Sequence, residues 1–353
     1  MTNDGNTIEK TKSFETYQFA GMALDPIHVG TGGTRLGRVD NTIVRDPVTR
    51  IPKIPGSSLA GVMRTYVAMA NGKYPHCAGL GRPERDGSGG HCGKADCPVC
   101  TVFGFAKGID ASGGFAGLAA FSDMQVLLFP VASQLGPRWI TCPMALRQTG
   151  IEAFSELADL PDEQAVYRKL VKNTETEKKN GTKQDKSQSE TSLSLGWLLL
   201  PVKTDWPPLD EIVQRIEALG IPGYIISRLG VVSDKLFVHI VNSNLEVRTS
   251  VAIDPATGAA EERALFIYEA LPRGSVLFWE LICRNPKHFK IGQDDGKAVD
   301  SPEKVKDVVT AAHLYLEHLG IGGMGSRGMG RLRVLNNGNK QAGSADLPKK
   351  ETP

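Results

Sequence analysis

The sequence lacks a long apolar run and a strong charge bias. No run of about 18 apolar residues occurs, so no membrane-spanning helix is expected. Its 41 basic and 39 acidic residues leave a formal net charge of only +2, so a polyanion-binding surface must come from local clustering. The polar residues 1–12 contain no apolar core of a secretory signal. These absences predict a cytoplasmic protein.

Motifs for nucleotide hydrolysis and for a Ser/His/Asp nucleophile are also missing. Gly323, Gly325 and Gly328 match the spacing of a dinucleotide-binding fingerprint, but that motif needs a strand before it and a helix after it. Here a predicted helix precedes the glycines and a strand-like segment follows them. The pattern therefore argues against a Rossmann site.

Cysteine is scarce except in one cluster, where four of the six lie between Cys77 and Cys100. In a cytosolic chain such a cluster indicates a metal more readily than disulfides. Cys97 and Cys100 form a C-x-x-C pair, Cys92 lies just upstream, and Cys77 or His91 completes a tetrahedral Zn²⁺ site. We favour Cys77 because His91 adjoins Cys92. The alternatives are free thiols in a loop and a redox C-x-x-C, but the glycine-rich segment between the ligands cannot build its own core.

Residues 29–64 hold the densest set of candidate functional residues. A loop rich in Gly, Thr and Arg contains a lone acid, Asp40, and leads to the string IPGSS, which opens a helix. Ser57 or Ser58 is expected to cap this helix. The free N–H groups of its N-terminus would suit an anion, with Arg64 within two turns. An ordinary capped helix is the alternative.

Further along the chain, residues 246–270 read as two alternating strands around a turn at 254–258, which predicts a β-hairpin. The alternative is a sheet meander. Strands are expected at 14–24, 118–131 and 331–335, and helices at 209–219 and 301–319. Residues 168–192 are nearly free of apolar side chains and indicate a disordered insert.

Several of these strings together resemble the RAMP superfamily, the RNA-binding proteins of CRISPR effector complexes. They are IHVG at 27–30, the segment around Asp40, PGSSL at 55–59 and the glycine-rich loop at 320–330. Within the superfamily the chain most resembles the repeated backbone subunit of type III effectors. The strings CPVCTVFG at 97–104, FSD at 121–123 and WITCP at 139–143 favour the Cmr branch (subtype III-B) over the Csm branch (subtype III-A).

The resemblance implies an α+β fold, a modified RRM-like (ferredoxin-like) antiparallel sheet with helices, in a single domain over 13–335. It places a zinc-binding insertion at 72–104, the disordered insert at 168–192 and a protruding "thumb" hairpin at 244–272. Arg248, Ile253, Asp254, Thr257 and Gly258 match the thumb pattern. Flexible tails are expected at 1–12 and 336–353.

The function implied is a backbone subunit that binds CRISPR guide RNA in several copies beside other type III subunits. Each copy would cut the paired target RNA at regular intervals as a metal-dependent endoribonuclease using Mg²⁺ or Mn²⁺. Asp40 is the expected catalytic residue and His28 its helper. RNA contacts are expected from Arg38, Arg45, Ser57, Ser58, Arg64, Arg248, Gly325, Ser326 and Arg327. The alternatives are a structural subunit without cleavage and a guide-processing endoribonuclease that uses His28 as general base.

Overall fold

One large, mostly antiparallel sheet dominates the computed structural model, and helices pack on both of its faces. The sheet and helices together give the mixed α+β architecture that the sequence predicts. The structure describes residues 12–32, 39–79, 90–106, 113–150, 160, 165–167, 192–203, 206, 208–261, 265–291 and 296–340.

The described strands number fourteen, and the three longest are β1, β4 and β12. Their bounds are β1 Phe14–Ala23, β2 Lys53–Ile54, β3 Ala119–Phe121, β4 Met124–Val131, β5 Arg138–Thr141, β6 Ala165–Tyr167, β7 Ser192–Leu195, β8 Leu198–Lys203, β9 Leu229–Val231, β10 Glu246–Ser250, β11 Phe266–Ala270, β12 Val276–Arg284, β13 Leu332–Val334 and β14 Asn339–Lys340.

Twelve of the described strands belong to the large sheet. Its main path runs β13-β1-β12-β4-β5-β9-β6-β8-β7, while β14 pairs with β1, β2 with β4 and β3 with β12. All neighbours are antiparallel except β5 with β9 and β6 with β8. Among the described strands, β10 and β11 pair with each other, from Glu246 opposite Ala270 to Ser250 opposite Phe266, and form the expected hairpin.

Eight α-helices are described. Their bounds are α1 Gly56–Ala70, α2 Pro98–Phe103, α3 Pro143–Arg147, α4 Pro208–Ala218, α5 Gly223–Ile226, α6 Asp234–Ser243, α7 Pro302–Thr310 and α8 His313–His318.

The two faces of the sheet have separate cores because side chains of a strand alternate between its faces. On β1, Phe19 packs into the core under α1, α2, α6, α7 and α8, and its ring stacks on Trp279 at 5.5 Å. The next residue, Ala20, faces the second core, which α4 and α5 cover. The amphipathic helix expected at 209–219 is α4, and its apolar side belongs to this second core.

The start of α1 corrects one expectation. Neither Ser57 nor Ser58 caps the helix; Pro55 occupies the N-cap position without a side-chain bond. Asp123, from the turn between β3 and β4, accepts the Gly56 N–H at 2.8 Å instead. A Cβ at Gly56 would lie 2.5 Å from the Phe121 carbonyl oxygen, so only glycine lets the helix dock this closely.

Two further boundaries differ from expectation. The helix expected over 301–319 is two helices, because Ala312 N donates to Val309 O at 3.0 Å and this tighter i to i−3 bond ends α7. Near the C-terminus, the chain stays in the sheet through Lys340, where a tail was expected from 336. The Asn336 side chain fixes this segment by accepting from Ala20 N and donating to Gln18 O. Of the insert expected at 168–192, residues 168–191 lie outside the described part of the chain.

Candidate functional site

Three segments of the chain meet at the base of the β10–β11 hairpin. They are the loop after β1, strand β11 and the glycine-rich loop at 320–330. Ile27 forms a bridge with Leu271, and Asn41 forms one with Tyr268. Gly323 N donates to His28 O at 2.8 Å, which joins the glycine-rich loop to the first segment. We call this meeting point the hairpin-base site.

Asp40 is held at the hairpin-base site by strand β11. Its backbone N–H donates to Ile267 O at 3.0 Å, and its carboxylate Oδ2 accepts from Ile267 N at 2.8 Å. The residue is exposed in spite of these bonds. The strand thus fixes the position of an acid that remains accessible to a ligand.

His28 is buried at the same site, and its Nδ1 lies 2.7 Å from Glu269 O. A carbonyl can only accept, so Nδ1 donates in this contact, and Nε2 is the ring nitrogen left to meet a ligand. The ring also meets Tyr268 edge-on, with centroids 5.8 Å apart. A Cβ at Gly30 would lie 3.1 Å from Nε2, so glycine at that position keeps the space beside this nitrogen open.

Arg45 and Glu269 form an ion pair beneath the hairpin. The Glu269 side chain is only 7% exposed and that of Arg45 is 24% exposed. Arg45 Nε also donates to Asn242 Oδ1 at 3.1 Å and Nη1 to Ile43 O at 3.1 Å. Both residues line a cleft of about 480 Å³ that Thr31, Thr42 and Arg50 also border. Arg45 is therefore engaged with Glu269 and not with Asp40.

The glycine-rich loop presents an exposed backbone to the hairpin. Residues Gly325–Arg327 form a 3-10 helix, all exposed, after Met324 in the left-handed conformation. Arg327 Nη1 donates to Ser250 Oγ at 3.2 Å, and its guanidinium carbon lies 5.6 Å from the centre of the Phe266 ring. This arginine therefore bridges the loop and both hairpin strands.

The other residues expected to contact RNA are dispersed. Arg248 lies on β10, where its Nε donates to Glu246 Oε1 at 2.6 Å. Ser57 is exposed and Ser58 half-buried in the first turn of α1, where Asp123 already supplies a carboxylate. Arg38 lies outside the described residues.

Arg64 is not placed as the sequence suggested. Its Nε donates to Cys77 O at 2.6 Å and its Nη1 to Gly104 O at 2.9 Å. The side chain thus points along α1 to the cysteine segment, where backbone carbonyls take its donors. The expectation that Arg64 holds an RNA phosphate is incompatible with this position.

The four clustered cysteines converge on one point. The sulfurs of Cys77, Cys92, Cys97 and Cys100 all lie within 4.8 Å of one another. Cys92 and Cys100 are 3.6 Å apart, and Cys77 and Cys97 are 3.9 Å apart. Tetrahedral Zn–S bonds of about 2.3 Å imply sulfur separations of about 3.8 Å. The cluster therefore fits one tetrahedral metal ion, and its sulfurs are too far apart for disulfides.

Local structure explains why these four residues meet. Cys97 precedes α2 at its N-cap position and Cys100 lies one turn later, so both face the same side. Cys77 adopts a left-handed φ of 62°, which turns the chain back toward them. Hydrogen bonds among the clustered thiols lower the pKa of Cys77 and raise that of Cys100, so these sulfurs interact directly.

His91 is not part of the metal cluster. Its Nε2 lies 2.9 Å from Gly79 O, and burial lowers its pKa so that the ring stays neutral. The four ligand atoms that converge are thus those of the cysteines, with Cys77 and not His91 as the fourth.

Sequence reasoning missed Glu269, whose carbonyl orients His28 and whose carboxylate holds Arg45. The usable signal was an acid in the strand-like string FIYEA, since an acid within a buried strand needs a cationic partner. The role of Asp123 as the cap of α1 was also missed. Its partner lies 67 residues away in sequence, so no local pattern marks it.

Comparison with known proteins agrees with this architecture. The Cmr4 protein of Pyrococcus furiosus, named a CRISPR system Cmr endoribonuclease, is 27% identical over 328 residues, which is 90% of this chain and 96% of that protein. The Csm3 endoribonuclease of Methanothermobacter thermautotrophicus is 37% identical over 90 residues, which is 25% of this chain and 32% of that protein.

Solved structures show the same fold. A chain of the type III-B Cmr-beta complex in its apo state superposes with a TM-score of 0.56 at 16% identity, over 90% of this chain and 96% of that one. A crystal structure of Cmr4 superposes with a TM-score of 0.53 at 19% identity, over 90% of this chain and 98% of that one. Among the described helices, none has the length and apolarity to cross a membrane. Residues 22–333 match the RAMP superfamily, and the chain belongs to that superfamily.

Proposed function

We propose that this protein is a guide-RNA-binding backbone subunit of a type III-B CRISPR ribonucleoprotein. Several copies stack along one guide, beside other effector subunits, and each copy cuts the paired target RNA. The observation that carries the proposal is the hairpin-base site, where strand β11 holds both Asp40 and His28. Similarity to the Cmr endoribonuclease over nearly the whole chain supports the same function and favours the Cmr branch over Csm.

The hairpin-base site suits cleavage of RNA by its own ribose 2′-hydroxyl. Positioning that hydroxyl in line with the neighbouring phosphorus supplies much of the rate. The exposed Asp40 carboxylate is fixed by Ile267 and can either bind a cation or accept a proton. A divalent ion such as Mg²⁺ or Mn²⁺, held by Asp40 with phosphate oxygens, would stabilise charge on the departing oxygen. His28 assists through Nε2, because Nδ1 is engaged with Glu269 O.

The β10–β11 hairpin acts as a thumb that displaces one nucleotide. Its exposed apolar side chains are Val247, Val251, Ile253 and Leu265. Apolar side chains inserted between stacked bases unstack them at a cost of a few kcal/mol per step. Because Asp40 and His28 bond to β11 itself, the displaced nucleotide and the acid are positioned by the same strand. The sheet that carries the hairpin is a modified RRM-like sheet.

RNA phosphates are held by exposed backbone and by arginine, not by base-specific contacts. The exposed residues Gly325 and Ser326 offer N–H groups beside the hairpin, and the exposed Arg327 offers a guanidinium. Successive backbone N–H groups in such turns bind anions. Arg248 and the cleft lined by Arg45 and Arg50 extend this surface. Binding is therefore insensitive to guide sequence and weakens as salt increases.

The four cysteines hold a structural Zn²⁺. They supply all four ligands, which leaves no open position for catalysis. The segment they close is too polar and glycine-rich to pack alone, so metal binding contributes to its folding. The protein acts in the cytoplasm.

The experiment that tests the proposal is purification of the protein with its partners from the native cell, followed by sequencing of the bound RNA. The expected result is RNA that carries CRISPR repeat sequence at one end and variable spacers beyond it. Random cellular RNA would contradict the proposal. Repeat-derived guides without any cutting of a matched target would instead favour the structural subunit that lacks cleavage.

A further inference from the structure

The guanidinium of Arg64 lies between helix α1 and the cysteine cluster. It donates to the carbonyl of Cys77 at 2.6 Å through Nε and to that of Gly104 at 2.9 Å through Nη1. Cys77 supplies the first sulfur, and Gly104 directly follows α2, the helix that carries Cys100. The Arg64 side chain therefore binds the backbone at both ends of the cysteine segment, at Cys77 and at Gly104.

The guanidinium of Arg64 also lies beside the cysteine cluster. Its bonds to Cys77 O and Gly104 O hold it against the two segments that carry the sulfurs. In the described part of the chain, Nη2 is buried without a hydrogen-bond partner. A buried donor of this kind is unfavourable unless nearby negative charge compensates for it.

A Zn²⁺ ion with four thiolates supplies such charge. The complex carries a net charge of about −2, and burying it without a counter-charge is costly. We propose that Arg64 is a positioning residue of the metal site, which clamps the cysteine segment through two carbonyls and partly neutralises the metal–thiolate cluster. The proposal rests on the zinc ion proposed above and is independent of RNA cleavage.

Arginine suits this role better than lysine. Its planar fork reaches two carbonyls in different directions and keeps its charge when buried. Lysine keeps the positive charge but cannot reach both carbonyls with a single ammonium. Methionine removes the charge and the hydrogen-bond donors and keeps a similar apolar stem. The series Arg64→Lys and Arg64→Met therefore separates clamping from charge. Arg215→Met is a matched control, because Arg215 is an exposed helical arginine that pairs with Glu211 on α4.

The test measures zinc release from the full-length protein to excess 4-(2-pyridylazo)resorcinol, a coloured chelator. Arg64→Met is expected to release zinc at least tenfold faster than wild type, Arg64→Lys at an intermediate rate, and Arg215→Met at the wild-type rate. Cobalt-substituted protein should keep the thiolate absorption bands in every variant, since the ligands are unchanged. Melting with and without EDTA should show a smaller zinc-dependent gain for Arg64→Met.

Release at the wild-type rate from Arg64→Met would overturn the proposal, even if that variant melts at a lower temperature, because Arg64 would then only pack. If Arg64→Met fails to fold, the zinc-release rate of Arg64→Lys tests the proposal instead, and release at the wild-type rate would overturn it. Metal analysis of the wild-type protein separates the two hypotheses: absence of zinc refutes the zinc site itself, whereas zinc that Arg64 does not retain refutes only the present inference.

Discussion

The ion pair between Glu269 and Arg45 makes a quantitative prediction about the hairpin-base site. Removing one partner of a buried pair costs about 3–5 kcal/mol, because the other charge stays buried. Arg45 is 24% exposed and keeps its bonds to Asn242 and Ile43, which reduces the cost. We therefore expect Glu269→Gln to lower the free energy of unfolding by about 1–3 kcal/mol.

The assay is denaturant unfolding of the purified chain in a double-mutant cycle with Arg45→Met. The two substitutions should couple by at least about 1 kcal/mol, because each removes the same interaction. The exposed pair Glu211 and Arg215 is the control, and its cycle should give less than about 0.5 kcal/mol. A coupling between Glu269 and Arg45 no larger than that of the control would refute the role of this pair in holding the hairpin.

Three more predictions test the loop, the metal and the half-buried His313. Gly322→Ala should lower both melting temperature and target cutting, since φ is 93° and a Cβ would lie 2.4 Å from His28 O. Cys97→Ser, or EDTA on wild type, should lower the melting temperature by at least about 5 °C in calorimetry. Burial lowers the pKa of His313 from 6.5 to about 4, so stability present above pH 6.5 should be lost as pH falls toward 4, by up to about 3 kcal/mol.

Each of these predictions has a matched comparison. Gly328→Ala has a similar positive φ of 74° but meets nothing within 4 Å, so it should cost less than Gly322→Ala. An equal loss of melting temperature and target cutting in the two variants would contradict the role of the close contact between Gly322 and His28 O. Cys142→Ser lies outside the metal cluster, and zinc content equal to wild type is expected from it. His313→Gln cannot titrate, and a pH profile of unfolding as steep as that of wild type would contradict the assignment.

The sequence predicts locally encoded features well. The hairpin could be predicted from the turn at 254–258, because the hydrogen bonds of that turn join its own residues, including Gly258 N to Asp254 O at 2.8 Å. The cysteine cluster could be predicted from the C-x-x-C spacing, because one turn of α2 places Cys97 and Cys100 on the same side. The roles of Asp40 and His28 remain predictions, but the structure places both against strand β11, as a shared site requires.

The features that sequence reasoning misplaced depend on distant parts of the chain. Arg64 lies on the correct helix, but the direction of its side chain is set by the carbonyls of Cys77 and Gly104. The serines of the IPGSS string suggested a local cap, whereas Asp123 reaches the helix from the sheet. The string FIYEA marks Glu269 as an acid that needs a cationic partner, but that partner, Arg45, lies 224 residues away in sequence. Tertiary contacts of this kind leave no periodic signal in the sequence.

The catalytic role of Asp40 is tested most directly by target cutting in a reconstituted effector complex that carries Asp40→Asn in every copy of this subunit. We predict that the complex still assembles on its guide and binds the matched target, while the metal-dependent cuts at regular intervals disappear. Asp210→Asn is the control, because that acid is exposed on α4 away from the hairpin. Cutting by the Asp40→Asn complex at the same positions and at nearly the wild-type rate would show that Asp40 is not the catalytic residue.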